Sequence, residues 1–238
     1  MKKSDPQHWE SKNDRLIPKL EDMLQKGDLK KGNTPYVLTG LYHDQAIIEF
    51  IKGNQDGYYQ NLKKAVDTFE FLIDAFSKNS EEIRGGFLSH VFYLPLICAV
   101  LLNDDKKLVS FCEKYSVVLQ LDCEQFFTDF VNAFYSLATG DSAAALNYGR
   151  KAKGEAVDGC HDLVNLLICV AENNQCALDA VWDAALLEFD QYIQSESQSM
   201  PEAALFMDGL ALLKLNKIRN KVTFIPTNND SRVPMSIL

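Results

Sequence analysis

The stretch Tyr135-Ser-Leu-Ala-Thr-Gly140-Asp-Ser-Ala-Ala-Ala145-Leu-Asn-Tyr-Gly-Arg-Lys-Ala152 contains a complete helix–turn–helix signal. Gly140 can adopt the left-handed conformation that commonly closes a helix. Asp141 or Ser142 can cap the next helix through a side-chain oxygen. The alanines in the second half of the stretch are small enough for two helices to approach closely. The stretch therefore predicts two antiparallel helices joined by a tight turn.

The same kind of junction recurs elsewhere in the chain. Asn103-Asp104, Gly140-Asp141 and Asn173-Asn174 each end one apolar helix and open another. Their separation is close to the ~34 residues that two helices and two turns fill in a tetratricopeptide repeat. The pattern Gly-x4-Ala-x6-Ala around Gly140 resembles such a repeat, although many antiparallel helix pairs share it. A stack of helical hairpins is therefore expected.

Apolar residues recur at helical spacing over nearly the whole chain, which predicts an all-α fold of about ten helices. We expect Phe87 to Leu102 to form one buried helix that Pro95 kinks. Val222 to Ile225 is a short β-like run, so an α-solenoid-like stack with a short extended C-terminal segment is predicted. Residues 1–238 are expected to form a single helical domain. Alternatively, halves at 10–103 and 104–220 pack together, with 221–238 as a tail.

The composition of the chain indicates the cellular compartment in which the protein resides. No apolar run approaches the ~18 residues that a membrane-spanning helix requires. The lysines near the N-terminus are not followed by an apolar run, so no signal peptide is visible. The six cysteines form no Cys-x-x-Cys motif and are expected to be reduced, structural thiols. These features favour a cytoplasmic protein.

The charge of the chain is negative and unevenly distributed. The net charge is −9, which argues against direct binding of nucleic acid, because phosphates require a basic surface. Residues 121–213 carry 15 acidic and 3 basic side chains, whereas residues 214–238 carry 1 acidic and 5 basic ones. An acidic field of this kind can steer a basic partner. The alternative interpretation is a solvated surface that maintains solubility.

Motifs of known chemistry are absent from the sequence. It contains no phosphate-binding or dinucleotide-binding glycine loop, no His-Glu-x-x-His, no EF-hand and no Gly-x-Ser-x-Gly. We therefore expect no catalytic residues, no cofactor and no metal. His43-Asp44 and His161-Asp162 resemble the His-Asp pairs of helical metal-dependent phosphohydrolases. Those enzymes need a further His upstream and an Asp far downstream, and no residues of this sequence match these ligands cleanly. Both histidines are expected at helix starts or on the surface.

The densest acidic run within residues 121–213 surrounds a tryptophan. An aromatic anchor with an acidic rim is typical of a binding hot spot for a basic partner. The sequence thus predicts five candidate residues for partner binding: Asp179, Trp182, Asp183, Glu188 and Asp190. The alternative interpretation places Trp182 in the core with its apolar neighbours Val181, Leu186 and Phe189.

The C-terminal part of the sequence has a more particular pattern. A helix led by aspartate, Met207-Asp-Gly-Leu-Ala-Leu-Leu-Lys-Leu215, is followed by a few basic residues and Val222-Thr-Phe-Ile225. The chain closes with Val233-Pro-Met-Ser-Ile-Leu238. This pattern resembles the immunity protein 49 family, the helical antitoxins of bacterial polymorphic toxin systems. The resemblance covers about the last 35 residues, and the polar segment from Thr227 to Arg232 departs from it.

The resemblance implies that the protein binds and neutralises a cognate toxin protein in the bacterial cytosol. Many toxins of such systems are nucleases, which are basic because they hold phosphates. An acidic inhibitor would suit a basic toxin in both encounter rate and complementarity. The alternative is a tetratricopeptide-like adaptor or chaperone that binds a peptide or a secreted effector. No membrane partner is expected, and the sequence does not define the oligomeric state.

Overall fold

The computed structural model describes residues 6–79, 82–90, 92–121, 123–156, 160–194, 201–226 and 232–233 of the 238-residue chain. These residues form ten α-helices and no β-strand, which confirms the all-α prediction. The helices are α1 (Pro6–Gln25), α2 (Asn33–Ile51), α3 (Gln55–Lys78), α4 (Leu94–Leu101), α5 (Asp105–Tyr115), α6 (Gln125–Thr139), α7 (Ser142–Gly154), α8 (His161–Ala171), α9 (Gln175–Tyr192) and α10 (Met207–Leu215).

The chain divides into two compact units, unit 1 at Lys3–Asp122 and unit 2 at Cys123–Leu238. Unit 1 contains α1 to α5, and unit 2 contains α6 to α10. The boundary lies later than the expected division between 103 and 104. The reason is that α4 and α5 both pack against α3, so the hairpin around Asn103 belongs to the first unit.

Four helical hairpins share one kind of turn. They are α2/α3, α4/α5, α6/α7 and α8/α9. In each turn a residue with positive φ is followed by an Asn or Asp whose side-chain oxygen accepts the backbone N–H three residues further on. The pairs are Gly53-Asn54, Asn103-Asp104, Gly140-Asp141 and Asn173-Asn174. The three junctions expected from the sequence are confirmed, and the Gly53-Asn54 turn is a fourth.

The expected helix from Phe87 to Leu102 is wrong in its first half. Gly85–Leu88 is a 3₁₀ turn, and α4 begins only at Leu94. Pro95 lies in the first turn of α4, where its missing N–H would have no helical partner. Proline therefore starts this helix instead of kinking it. Every residue from Pro95 to Leu101 is buried, as the apolar sequence predicts.

The last helix lies in the core of unit 2. α10 packs against α8 and α9. The helix has nine residues, and the last seven, Gly209 to Leu215, are all buried. A Cβ atom at Gly209 would lie 2.9 Å from a ring carbon of Trp182, so glycine permits the close approach of α10 to α9. α10 continues as a π-helical turn at Asn216–Asn220.

This π-helical turn closes the ends of the unit 2 hairpins. The Arg219 guanidinium donates to the backbone carbonyls of Leu137 and Ala138, near the C-terminus of α6. The Asn220 amide donates to the Val170 carbonyl at the end of α8, at 2.9 Å. Both contacts add donors to carbonyls near the C-terminus of a helix, where the regular intrahelical pairing ends. Beyond the turn, residues 221–226 form neither helix nor strand.

Candidate functional site

The ninth helix has one face in the core and one in solvent. Leu178, Trp182, Ala185 and Leu186 are buried at helical spacing. Beside this buried stripe lie Asp179, Asp183 and Leu187, spaced one turn apart, and we call these three residues the outer face of α9. Asp179 is exposed, Asp183 is half-buried, and Leu187 is 58% exposed. The outer face thus combines two carboxylates with an apolar side chain.

Trp182 occupies the core position that the alternative interpretation gave it. Its side chain is fully buried. Its ring lies 5.6 Å from that of Phe206 and 6.3 Å from that of Phe224, measured between centroids. The buried indole Nε1 has no hydrogen-bond partner within the described part of the chain. The prediction of Trp182 as a surface anchor is therefore corrected, because the ring is used for packing.

Glu188 is engaged within the fold. Its carboxylate accepts the backbone N–H groups of His161, Asp162 and Leu163 at 2.8, 2.7 and 3.2 Å. These N–H groups belong to the first turn of α8, which carries a partial positive charge. The N-cap residue Cys160 supplies no side-chain hydrogen bond. Glu188 thus acts as a cap that α9 provides to α8.

Asp190 is also committed to an internal contact. It forms an ion pair with Arg232, whose guanidinium also lies 5.8 Å from the centre of the Phe189 ring. Two of the five candidates, Asp179 and Asp183, therefore lie together on the outer face of α9. The other three stabilise the fold.

The three arginines of unit 2 are engaged in contacts within the fold. Arg150 pairs with Glu172 at 3.2 Å, and Arg219 and Arg232 bind their own acceptors. No ion pair joins Asp179 to a basic side chain within the described ranges. The potential around α9 is therefore expected to be negative, which favours approach of a positively charged surface.

His43 and His161 differ in their exposure to solvent. His43 lies in the middle of α2 and is only 1% exposed, so the expectation of a helix-start or surface position is wrong for this residue. The apolar packing of α2 on both sides accounts for its burial. His161 is the exposed first residue of α8, as expected. Among the described residues, no group of three or more His, Cys, Asp or Glu side chains is arranged to hold a metal ion.

All six cysteines are free thiols in the structure. Cys98, Cys112 and Cys169 are buried, whereas Cys176 in the first turn of α9 is exposed. Burial, together with the carboxylates of Asp208 and Glu188, raises the pKa of Cys160 to about 12. Cys160 is therefore a poor nucleophile near neutral pH, in agreement with its interpretation as a structural thiol.

In the described part of the chain, every helix is too short or too polar to cross a membrane. Comparison with protein-family models, with curated proteins and with solved structures finds no match.

Two features of unit 2 were missed by the sequence reasoning. Leu187 completes the outer face of α9, and the spacing Asp179, Asp183, Leu187 at every fourth residue could have revealed it. The capping of α6 and α8 by Arg219 and Asn220 spans 50 or more residues of sequence. No local pattern signals contacts of that length.

Proposed function

We propose that this chain is an immunity protein of the bacterial cytoplasm that neutralises a cognate toxin by binding it. We place the contact on the outer face of α9 and infer that the toxin is basic. The observation that carries the proposal is the exposed carboxylate of Asp179, with the half-buried Asp183 one turn further along α9, in the acidic stretch 121–213.

The chemistry of this face suits a protein partner. The exposed carboxylate of Asp179 can receive a lysine or arginine side chain from a facing surface. The exposed Leu187 offers apolar area on the same face, and interfaces combine an apolar centre with a polar rim. The negative field of unit 2 would raise the rate of encounter with a basic toxin. The mechanism is thus inhibition by occupation of the toxin's surface, without turnover.

A tetratricopeptide-like adaptor or chaperone is the second candidate. The four hairpins with a common capped turn favour it, because stacked hairpins offer extended surfaces for peptides. The usual clamp for a peptide carboxylate requires several basic side chains. Residues 121–213 carry only three, so an acidic peptide is a poor match for this part of the chain.

Co-expression tests the proposal. The C-terminal domain encoded by the adjacent upstream gene is expressed in bacteria, alone and together with this protein. We expect growth arrest that this protein relieves, and co-purification of the two proteins. A chain with Trp182→Asp, which should disrupt the core of unit 2, serves as the non-binding control. Toxicity that the intact protein fails to relieve, or no toxicity, would favour the adaptor instead.

A further inference from the structure

The segment Lys221–Pro226 follows the π-helical turn, forms neither helix nor strand, and has side chains that alternate in exposure. Lys221, Thr223 and Ile225 are exposed, whereas Val222, Phe224 and Pro226 are half-buried. Ile225 is 68% exposed, more than any other large apolar side chain in the described part of the protein. Alternation with a period of two is the pattern of a β-strand. We call this segment the C-terminal strand segment.

The segment is held in place at several points. The Asn216 amide donates to the Val222 carbonyl at 3.1 Å, and the Phe224 ring packs against Trp182. Arg219, just before the segment, is bound to the end of α6. A peptide held in this way has already lost much of the conformational freedom that binding would otherwise cost.

Beyond the Val222 carbonyl, the main chain of this segment lacks hydrogen bonds to the described part of the protein. Within the described residues, the N–H groups of residues 223–225 and the carbonyl groups of residues 223–226 take part in no hydrogen bond. The sequence Val-Thr-Phe-Ile has the β-branched and aromatic residues that favour strands. A row of unpaired N–H and C=O groups on such a strand is a template for a further strand.

We propose that the C-terminal strand segment binds an extended segment of a partner protein by strand addition. Main-chain hydrogen bonds from residues 223–225 provide the pairing, and Ile225 provides an apolar contact. Residues 214–226 include four basic and no acidic side chains, and Lys217 and Lys221 are exposed. The bound segment therefore has alternating apolar residues and at least one acidic side chain. This inference does not depend on the outer face of α9 or on a toxin.

Short random peptides displayed on phage, selected against the full chain, test the inference. We expect enriched peptides to alternate β-forming residues and to contain an acidic residue. Thr223→Pro removes one main-chain donor and should weaken their binding about fivefold or more. Thr223→Val is the matched control, since it keeps the donor and the strand propensity. Lys221→Glu should also weaken binding, because it reverses the local charge.

Hydrogen exchange gives a second readout that does not require the proline variant to fold. On addition of an enriched peptide to the unmodified chain, the amides of residues 223–225 should exchange more slowly. The inference is overturned if no peptide is enriched, or if exchange at these amides is unchanged. The inference is also overturned if the enriched peptides are basic and do not bind the double variant of this protein that carries Asp179→Lys and Asp183→Lys. That last result would locate binding on α9 and would support the proposed function alone.

Discussion

Glu188 connects two helices through a single carboxylate. It accepts three backbone N–H groups of α8 from its position on α9, so it stabilises both the helix end and the hairpin. Glu188→Gln keeps an acceptor but removes the charge that favours the helix N-terminus. We expect the free energy of unfolding to fall by about 1 kcal/mol. Urea unfolding measures this, with the exposed Glu113→Gln on α5 as a control. Equal midpoints for the two variants would contradict the capping role.

Two thiols of unit 2 should differ strongly in reactivity. Cys176 is exposed, whereas Cys160 is partly buried with a pKa raised to about 12. Since the thiolate is the reactive form, Cys160 should be alkylated far more slowly near neutral pH. Iodoacetamide labelling followed by peptide mass spectrometry checks the order. Cys176→Ser should remove the fastest labelling, and Cys160→Ser should leave it intact. Faster labelling of Cys160 would show that its surroundings are open to solvent.

At the scale of elements, α3 and α5 are joined by ion pairs. Lys107 lies 2.6 Å from Asp67 and 2.9 Å from Glu70, and Lys114 lies 2.8 Å from Asp74. Burial disfavours the charged forms of Asp67 and Lys107. Their hydrogen bonds outweigh it, so the pKa of Asp67 is lowered and that of Lys107 is raised.

These shifts predict how stability depends on pH. The contribution of Asp67 is present above the pKa of an unfolded aspartate, about 3.9, and is lost as the pH falls through the lower folded pKa. The contribution of Lys107 is lost at the alkaline end, as the pH rises through its raised pKa. Lys107→Met should therefore lower stability at neutral pH and make its decline in acid shallower. Urea midpoints over a pH series measure the stability at neutral pH and its decline in acid. The Lys106→Met variant, changed at an exposed site, should show the same dependence of stability on pH as the unmodified chain.

The turn between α6 and α7 depends on backbone conformation. Gly140 has φ of +93°, whereas Asn103 and Asn173 occupy the equivalent positions with φ of +59° and +54°. Asparagine tolerates the left-handed region better than other residues with a side chain. Gly140→Asn should therefore cost less stability than Gly140→Val, for which we expect a loss of about 2 kcal/mol. Thermal unfolding of both variants checks the order, and equal losses would contradict it.

The elements that could be predicted from the sequence are those with local signals. Asp141 caps a helix that starts at the next residue, so the turn is readable from a few neighbouring residues. The burial of His43 could not be read in this way, because it depends on which helices surround α2. The same holds for Glu188, whose partners lie 25 to 27 residues away. Helical periodicity placed Trp182 beside Asp179 and Asp183 but did not decide which side faces the core.

At the scale of the whole molecule, charge is the property that links the structure to its proposed partner. The net charge of −9 arises from residues 121–213, since the remainder of the chain is close to neutral. In unit 2, the three arginines Arg150, Arg219 and Arg232 form internal contacts. The excess of acidic over basic side chains in residues 121–213 favours a fast, salt-sensitive association with a basic protein.

The most direct test is the rate of association between this protein and the toxin identified by co-expression. One double variant carries Asp179→Lys and Asp183→Lys. The control double variant carries Glu82→Lys and Glu113→Lys, which make the same change in net charge at exposed sites of unit 1. We predict that the α9 variant associates about tenfold more slowly at low salt and that high salt narrows the difference. Equal association rates for the two variants, at both salt concentrations, would contradict the assignment of the outer face of α9 as the binding surface.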